Sequence, residues 1–441
     1  MYKKLLLVFT LCSVGLWTFS DSYAFDDEED FVEMSNTNVT EKSKVPASDT
    51  MAPSVVSETQ EPLVENIASS VNIVQKPQFL ESAPISPIYV KSLAINQPGM
   101  NSSNPTWAKT QNLLSFERND ERNKELVIAS IEGEIKQTIS FQSKEDEFGL
   151  AVLLDGFSDT TSYNAGITWS PDGMRYVFMS NGTEANYDLY LGDMMQSTPP
   201  LRITNHPEKE GHAHWSPVNN KVLFISGRSG TAQVYIYDLD TKTTSQITIG
   251  NKPFLYPQWS PDGSQVALIH GDNSNHDIYV ITELDKPNRN LIALTDWAFD
   301  DLRPIWSPDG SKIAFYSNYN ESNDPKLWSL IVLDLADKNT RTADQLQKHV
   351  VAENIIPDIE KGPAWLPGST HIVFVKNDRD RYNPLHVVDV NTGVSRLLQT
   401  NTKINHDVSC SPQGLIAFRS QVDQWDQIFI TQLPANEHTV N

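Results

Sequence analysis

A pentapeptide, Trp-Ser-Pro-Asp-Gly, constrains the fold of this chain more than any other stretch. It stands at Trp169, Trp259 and Trp306 and returns in altered form at Trp215, Trp365 and Cys410. Its last four residues favour a turn: Pro presets φ at the second position, Asp bonds to the local backbone, and Gly enters the left-handed region without a Cβ penalty. Each copy therefore ends one strand and begins the next. At Asn219, where Gly is missing, the replacement is a residue type that tolerates the same conformation.

The copies follow one another at intervals of 46, 44, 47, 59 and 45 residues from Trp169 to Cys410. A unit of four short strands needs about 40 to 50 residues, so the period predicts a β-propeller. After each turn an apolar strand places Phe178, Phe224, Leu268, Phe315, Phe374 and Phe418 at one inward position, and later strands carry patterns such as Val234-Tyr235-Ile236 and Ile278-Tyr279-Val280. Trp107 opens a degenerate copy, with Leu114 and Phe116 at the same inward positions. The expectation is an all-β, seven-bladed propeller, with six blades as the alternative. A strand at Ile88–Ala94 is expected to close the ring by joining the three strands that end near Leu433. Two insertions are expected on the rim, near Ser143–Thr160 and at Ala336–Glu360, the second with a short helix at Ala343–Ala352.

Outside the repeats, residues 1–24 read as a secretory signal: Lys3 and Lys4, an apolar run from Leu5, and small residues Ser22 and Ala24 at the cleavage site. Cleavage leaves no membrane span and one thiol, Cys410, at a position held elsewhere by Trp; a buried core thiol is the expectation. Residues 25–86 lack Trp and Gly and recur in Pro, Ser and Glu, the composition of a flexible acidic tether. Residues 87–433 form the propeller and 434–441 a tail. The net charge of −22 provides no basic stripe for phosphate, so a nucleic-acid partner is not expected.

The form Pro-x-Trp-Ser-Pro-Asp-Gly-x-x-Ile-Ala-Phe at Pro304–Phe315, and its counterpart followed by Ile-Tyr at Pro257–Tyr279, resembles the repeats of the TolB-like periplasmic propellers. The resemblance covers roughly Thr106 to Leu433. It implies a periplasmic, non-enzymatic scaffold of the Tol-Pal envelope system that binds a peptidoglycan-associated lipoprotein at its propeller. The tether stands where that family has a compact α/β domain, and the blade count exceeds its six. The expected partner is an envelope protein of this kind, and the expected state is a monomer.

Two columns before each repeat Trp are mostly polar and vary from copy to copy. Three residues before it stand Asn104, Gly166, His212, Tyr256, Arg303, Gly362 and Asp407; five before it stand Ser102, Asn164, Glu210, Phe254, Asp301, Glu360 and Asn405. A column that varies while the turn and core repeat suits a surface read by a partner. The expected contacts at the channel mouth are His212, Tyr256, Asp301, Arg303, Glu360 and Asp407. The alternative is enzymatic: Glu210, His212, His214 and His406 as ligands of a transition metal, His212 and His214 pointing the same way from alternate strand positions, in a polysaccharide lyase of the oligogalacturonate type. Asp272–Asp277 carries oxygen ligands suited to calcium but lacks the glycine and distal glutamate of a strong site. No catalytic residue and no required cofactor is expected on the leading reading. There is no Gly-x-Ser-x-Gly elbow or His-Glu-x-x-His helix.

Overall fold

The computed structural model describes residues 82–93, 99–119, 124–140, 163–182, 186–272, 275–286, 289–319, 327–335, 346–359, 361–378 and 382–435. The signal segment, most of the tether, the insertion near 143–160, Glu360 and the end of the C-terminal tail lie outside them. Among the described residues there is no α-helix, and none is long and apolar enough to cross a membrane.

Strand formers dominate the segments after each turn, as in Lys221–Ser226 and Lys312–Ser317, where Val, Ile, Phe and Tyr suit a pleated surface. These strands are buried almost continuously rather than on alternate residues, because neighbouring sheets cover both faces. All the strand ladders are antiparallel. Strand β1 (Tyr89–Ser92) stands alone in sequence. It is followed by β2 (Asn101–Trp107) to β5 (Ile135–Ile139), β6 (Asn164–Trp169) to β9 (Leu201–Arg202), β10 (Glu210–Trp215) to β13 (Thr243–Gln246) and β14 (Phe254–Trp259) to β17 (Asn290–Ala293), each a four-stranded sheet in sequence order. Strands β18 (Asp301–Trp306) to β21 (Lys348–Ile356) and β22 (Ala364–Trp365) to β25 (Ser395–Leu397) join into one eight-stranded sheet through Ile355 and Ile356, which pair with Lys376 and Val375. The last sheet holds β26 (Asn405–Cys410) to β28 (Trp425–Gln432), with β1 added antiparallel to β28 from Tyr89↔Gln432 to Ser92↔Phe429. The vacant place is filled by the strand from the other end of the propeller segment, which covers an open sheet edge.

Hydrophobic clusters lie between successive groups. Leu126 and Ile128 pack on Trp169, Tyr176 and Phe178; Leu114 and Phe116 pack on Ile428 and Ile430, linking the first group to the last. The column of Phe178, Phe224, Leu268, Phe315 and Phe418 is fully buried. Burial of each such side chain stabilises the fold by about 1.5–3 kcal/mol. In four of the six Trp copies the indole adds a polar tie. Its N–H donates to the carbonyl one residue before the corresponding Trp position of the preceding group: Trp107 to Ser409, Trp259 to His214, Trp306 to Gln258 and Trp365 to Ile305. Cys410 follows the same rule, its Sγ lying 3.8 Å from the carbonyl oxygen of Ala364.

Three expectations are corrected. The segment expected as a helix at 343–352 is, where described, strand β21; Val350, Val351 and Ile355 are β-branched and buried, and β21 pairs with Trp328–Asp334. Asn219 does not take the left-handed conformation of the turn glycines. Its carbonyl instead accepts the indole N–H of Trp215, at 3.1 Å, so this turn is built differently. The tether also ends earlier than residue 86. Ile85 is buried and bonds through its backbone to Leu397 and Gln399, and Arg396 donates to the Ala83 carbonyl.

Candidate functional site

The first strands touch in series, β22 with β26, β26 with β2, β2 with β6, β6 with β10, β10 with β14 and β14 with β18, as they do about the axis of a propeller. In six of them the ladder to the second strand slips by a bulge near the residue three before the Trp position. At that residue φ is positive in every group: Asn104 58°, Gly166 66°, His212 50°, Tyr256 53°, Arg303 55°, Gly362 80° and Asp407 52°. Two are glycines, for which this region is open. Asn104, His212 and Asp407 are of types that enter it more readily, whereas for Tyr256 and Arg303 it costs about 1–2 kcal/mol per residue. Bulky residues persist in a strained conformation only where the surrounding structure enforces it, and such strain concentrates at functional sites.

The bulges bring members of this column into contact around the axis. The His212 and Tyr256 rings meet edge to face at 5.2 Å, and the Arg303 guanidinium lies 4.3 Å from the Tyr256 ring centre. Asp407 accepts the Asn104 backbone N–H at 3.0 Å and pairs with Arg419 at 2.8 Å. Glu117 accepts from the Asn104 side chain at 2.6 Å and from the Gly166 N–H at 3.1 Å, and pairs with Lys124 at 2.8 Å. Lys361 Nζ meets the Thr106 hydroxyl. His212, Tyr256, Asn104 and Asp407 are half-buried, Gly166 is exposed, and a Cβ built on Gly166 would meet nothing within 4 Å.

Electrostatics follow from this depth. Burial, and then the charge of Arg303, lowers the His212 pKa to about 3; burial, Lys109 and Arg303 do the same for His214, so both rings are neutral near pH 7. Burial pushes Lys361 down, and burial together with Asp407 pushes the Asp358 carboxyl up.

The second column serves the fold instead. Asp301 is fully buried, accepts the Trp297 indole N–H at 2.6 Å, and is driven toward its neutral form by that burial. It is not a surface contact. Asn164 holds the Lys124 carbonyl and Asn405 the Asn383 carbonyl. Variation in this column reflects the different loops it anchors. Glu360 lies outside the described residues.

The metal constellation is not assembled. The bulge between Gly211 and His214 breaks the alternation that would aim both imidazoles one way. His214 Nδ1 accepts the Trp259 backbone N–H at 3.0 Å, as the Thr168 hydroxyl accepts that of Trp215 at 2.9 Å. Glu210 is ion-paired with Arg228. Among the described residues no group of three His, Cys, Asp or Glu is placed to hold a metal. At Asp272–Asp277, for which an ordinary hairpin loop is the leading expectation over a calcium site, Asp272 pairs with Asn275 across a hairpin, and His276 bonds to Asp300 at 2.6 Å. Glu117, Asp358 and Lys361 escaped sequence reading. Lys361 carried a signal, as a lone lysine in a column otherwise made of Ser103, Ala165, Gly211, Leu255, Leu302 and His406.

Residues 155–349 match the family model of the TolB β-propeller domain. An uncharacterised protein of Agrobacterium fabrum (strain C58) is 28% identical over 104 residues, covering 24% of this chain and 35% of the relative. The Tol-Pal system protein TolB of Ruthia magnifica subsp. Calyptogena magnifica is 29% identical over 109 residues, covering 24% of this chain and 26% of the relative. The match thus spans about a third and a quarter of these relatives. Among solved structures, an oligogalacturonate lyase in complex with manganese superposes with a TM-score of 0.56 at 15% identity, covering 79% of this chain and 93% of that one. At that identity the likeness concerns the fold alone.

Proposed function

The chain carries a TolB-type β-propeller, and from that premise we propose that it is an exported, non-enzymatic scaffold of the bacterial cell envelope that binds a partner protein across the axial face of a seven-bladed ring. The reading of seven blades is supported by the eight-stranded sheet, whose two halves each have a core cluster toward a neighbouring sheet and would count as separate blades. The observation that carries the binding reading is the axial ring of left-handed positions. Its backbone geometry is constant while its side chains are Asn, Gly, His, Tyr, Arg, Gly and Asp. A strained frame that presents different chemistry in each blade suits recognition better than support.

The partner class is an envelope protein such as a peptidoglycan-associated lipoprotein, in keeping with the Tol-Pal name of one relative. Periplasmic location rests on the signal-like residues 1–24. His212, Tyr256 and Asp407 are the contacts of choice, because solvent reaches them. The lyase reading is not adopted, because a backbone N–H occupies one nitrogen of His214.

A crosslinking pull-down from envelope extract tests the proposal. The double variant H212A/Y256A is expected to lose the envelope protein that the unaltered chain captures, while its melting temperature shifts by less than about 4 °C. Undiminished capture would remove the axial face as the docking surface. Stoichiometric transition metal in the purified protein would redirect the reading to the enzyme.

A further inference from the structure

Of the two arginines buried among the described residues, Arg118 has a carboxylate partner and Arg303 has none, and three half-buried arginines are also paired with carboxylates. Arg118 faces Glu125, Arg202 faces Asp188, Arg228 faces Glu210, and Arg419 faces Asp407 and Asp426. Arg303 is 5% exposed, makes no ion pair with a described residue, and its buried Nε has no hydrogen-bond partner among them. A guanidinium without a counterion in the interior is strongly destabilising unless something supplies the missing charge.

The surroundings show what kind of group fits. The guanidinium carbon lies 4.3 Å from the centre of the Tyr256 ring, so one face of the cation is held by the ring and its N–H groups are left for another partner. Two nearby carboxylates are engaged elsewhere, Glu117 by Lys124 and Asp407 by Arg419; a third, Asp358, feels the charges of Arg303 and Lys361, but burial and Asp407 push its carboxyl toward the neutral form and it makes no ion pair with Arg303. Lys361 contributes a second positive charge to the same space. Glu117, Asp358 and Asp407 all act on Lys361, but Glu117 and Asp407 are each committed to another cation. Beside Gly166 the axis is open.

We propose that the propeller axis is a carboxylate-binding site, in which Arg303, stacked on Tyr256, donates paired hydrogen bonds to the anion and Lys361 neutralises it further. The carboxylate comes from a small acid in solution or from an acidic side chain of a docked protein. The site stands on the chemistry of the axis and does not require that any protein docks there.

The test uses the full chain and acetate, with acetamide as the neutral isostere and chloride at equal ionic strength. Acetate is expected to raise the melting temperature of the unaltered protein, while acetamide and chloride do not. R303M is expected to melt no lower than the unaltered protein without acetate and to bind acetate about tenfold or more weakly. K361M is expected to weaken binding without abolishing it. A capped peptide with one Glu that binds more tightly than acetate would assign the carboxylate to a partner; equal affinities would assign it to a free acid, and both outcomes uphold the site. Equal responses to acetate and acetamide, or an undiminished response in R303M, would overturn it. So would the absence of any acetate binding, including the case in which Glu360 of the chain itself fills the place.

Discussion

His214 shows how a residue that looks chemical in a sequence can be structural in a fold. Its Nδ1 caps a backbone N–H of the next blade in the same way as the Thr168 hydroxyl one blade earlier. The His-x-His spacing was legible, but its meaning depended on a bulge that pattern reading does not detect. The depressed pKa has a pH consequence. The folded ring stays neutral down to about 3, whereas the unfolded ring takes up a proton near 6.5. Between those values the unfolded state binds more protons, so this contribution to stability is present above about pH 6.5 and is lost as the pH falls. H214T keeps an acceptor for the Trp259 N–H and removes the titration. Its melting temperature is expected to lie within about 4 °C of the unaltered protein near pH 7 and to fall less on acidification to about pH 4. An identical fall in both proteins would contradict the assignment.

At the scale of elements, the turns behave as their sequence specifies. In three copies the Ser hydroxyl donates to the Asp carboxylate at 2.6 Å, as in Ser170 to Asp172, Ser260 to Asp262 and Ser307 to Asp309. That carboxylate also accepts the backbone N–H two residues on, at 3.0 Å in each copy. At Asp309 partial burial works against ionisation, but the bonds from Ser307 and Ser311 outweigh it and hold the pKa at about 2. D309A is expected to lower stability by about 1 kcal/mol, a modest value because the turn is exposed, and to shift the urea midpoint without changing the slope. No shift would show that proline and glycine alone define the turn. Strand β21 illustrates the opposite case. Its local sequence suited a short helix, and the open edge beside Trp328–Asp334 made it a strand.

The molecule as a whole is closed by its first strand. Tyr89–Ser92 completes the last sheet, and residues 83–85 extend the attachment onto the edge near Leu397. A chain beginning at Ser82 is therefore expected to melt within about 4 °C of the full chain, whereas one beginning at Asn101 loses β1 and the burial of Ile85 and is expected to melt at least about 10 °C lower. Equal melting of both truncations would show that closure does not depend on this strap.

The period of the Trp positions, the turn chemistry and the apolar columns sufficed to fix the all-β architecture and the strand that closes it, because these features act locally or repeat, and repetition makes a weak local preference readable. The axis depended on tertiary structure. Whether Asp301 or Arg303 faces solvent, whether two histidines converge, and which buried arginine lacks a carboxylate are set by bulges and by neighbours from other blades, hundreds of residues apart in the case of Asp407 and Asn104. Side-chain direction and desolvation arise only when the ring assembles, and no residue type or spacing encodes them on its own.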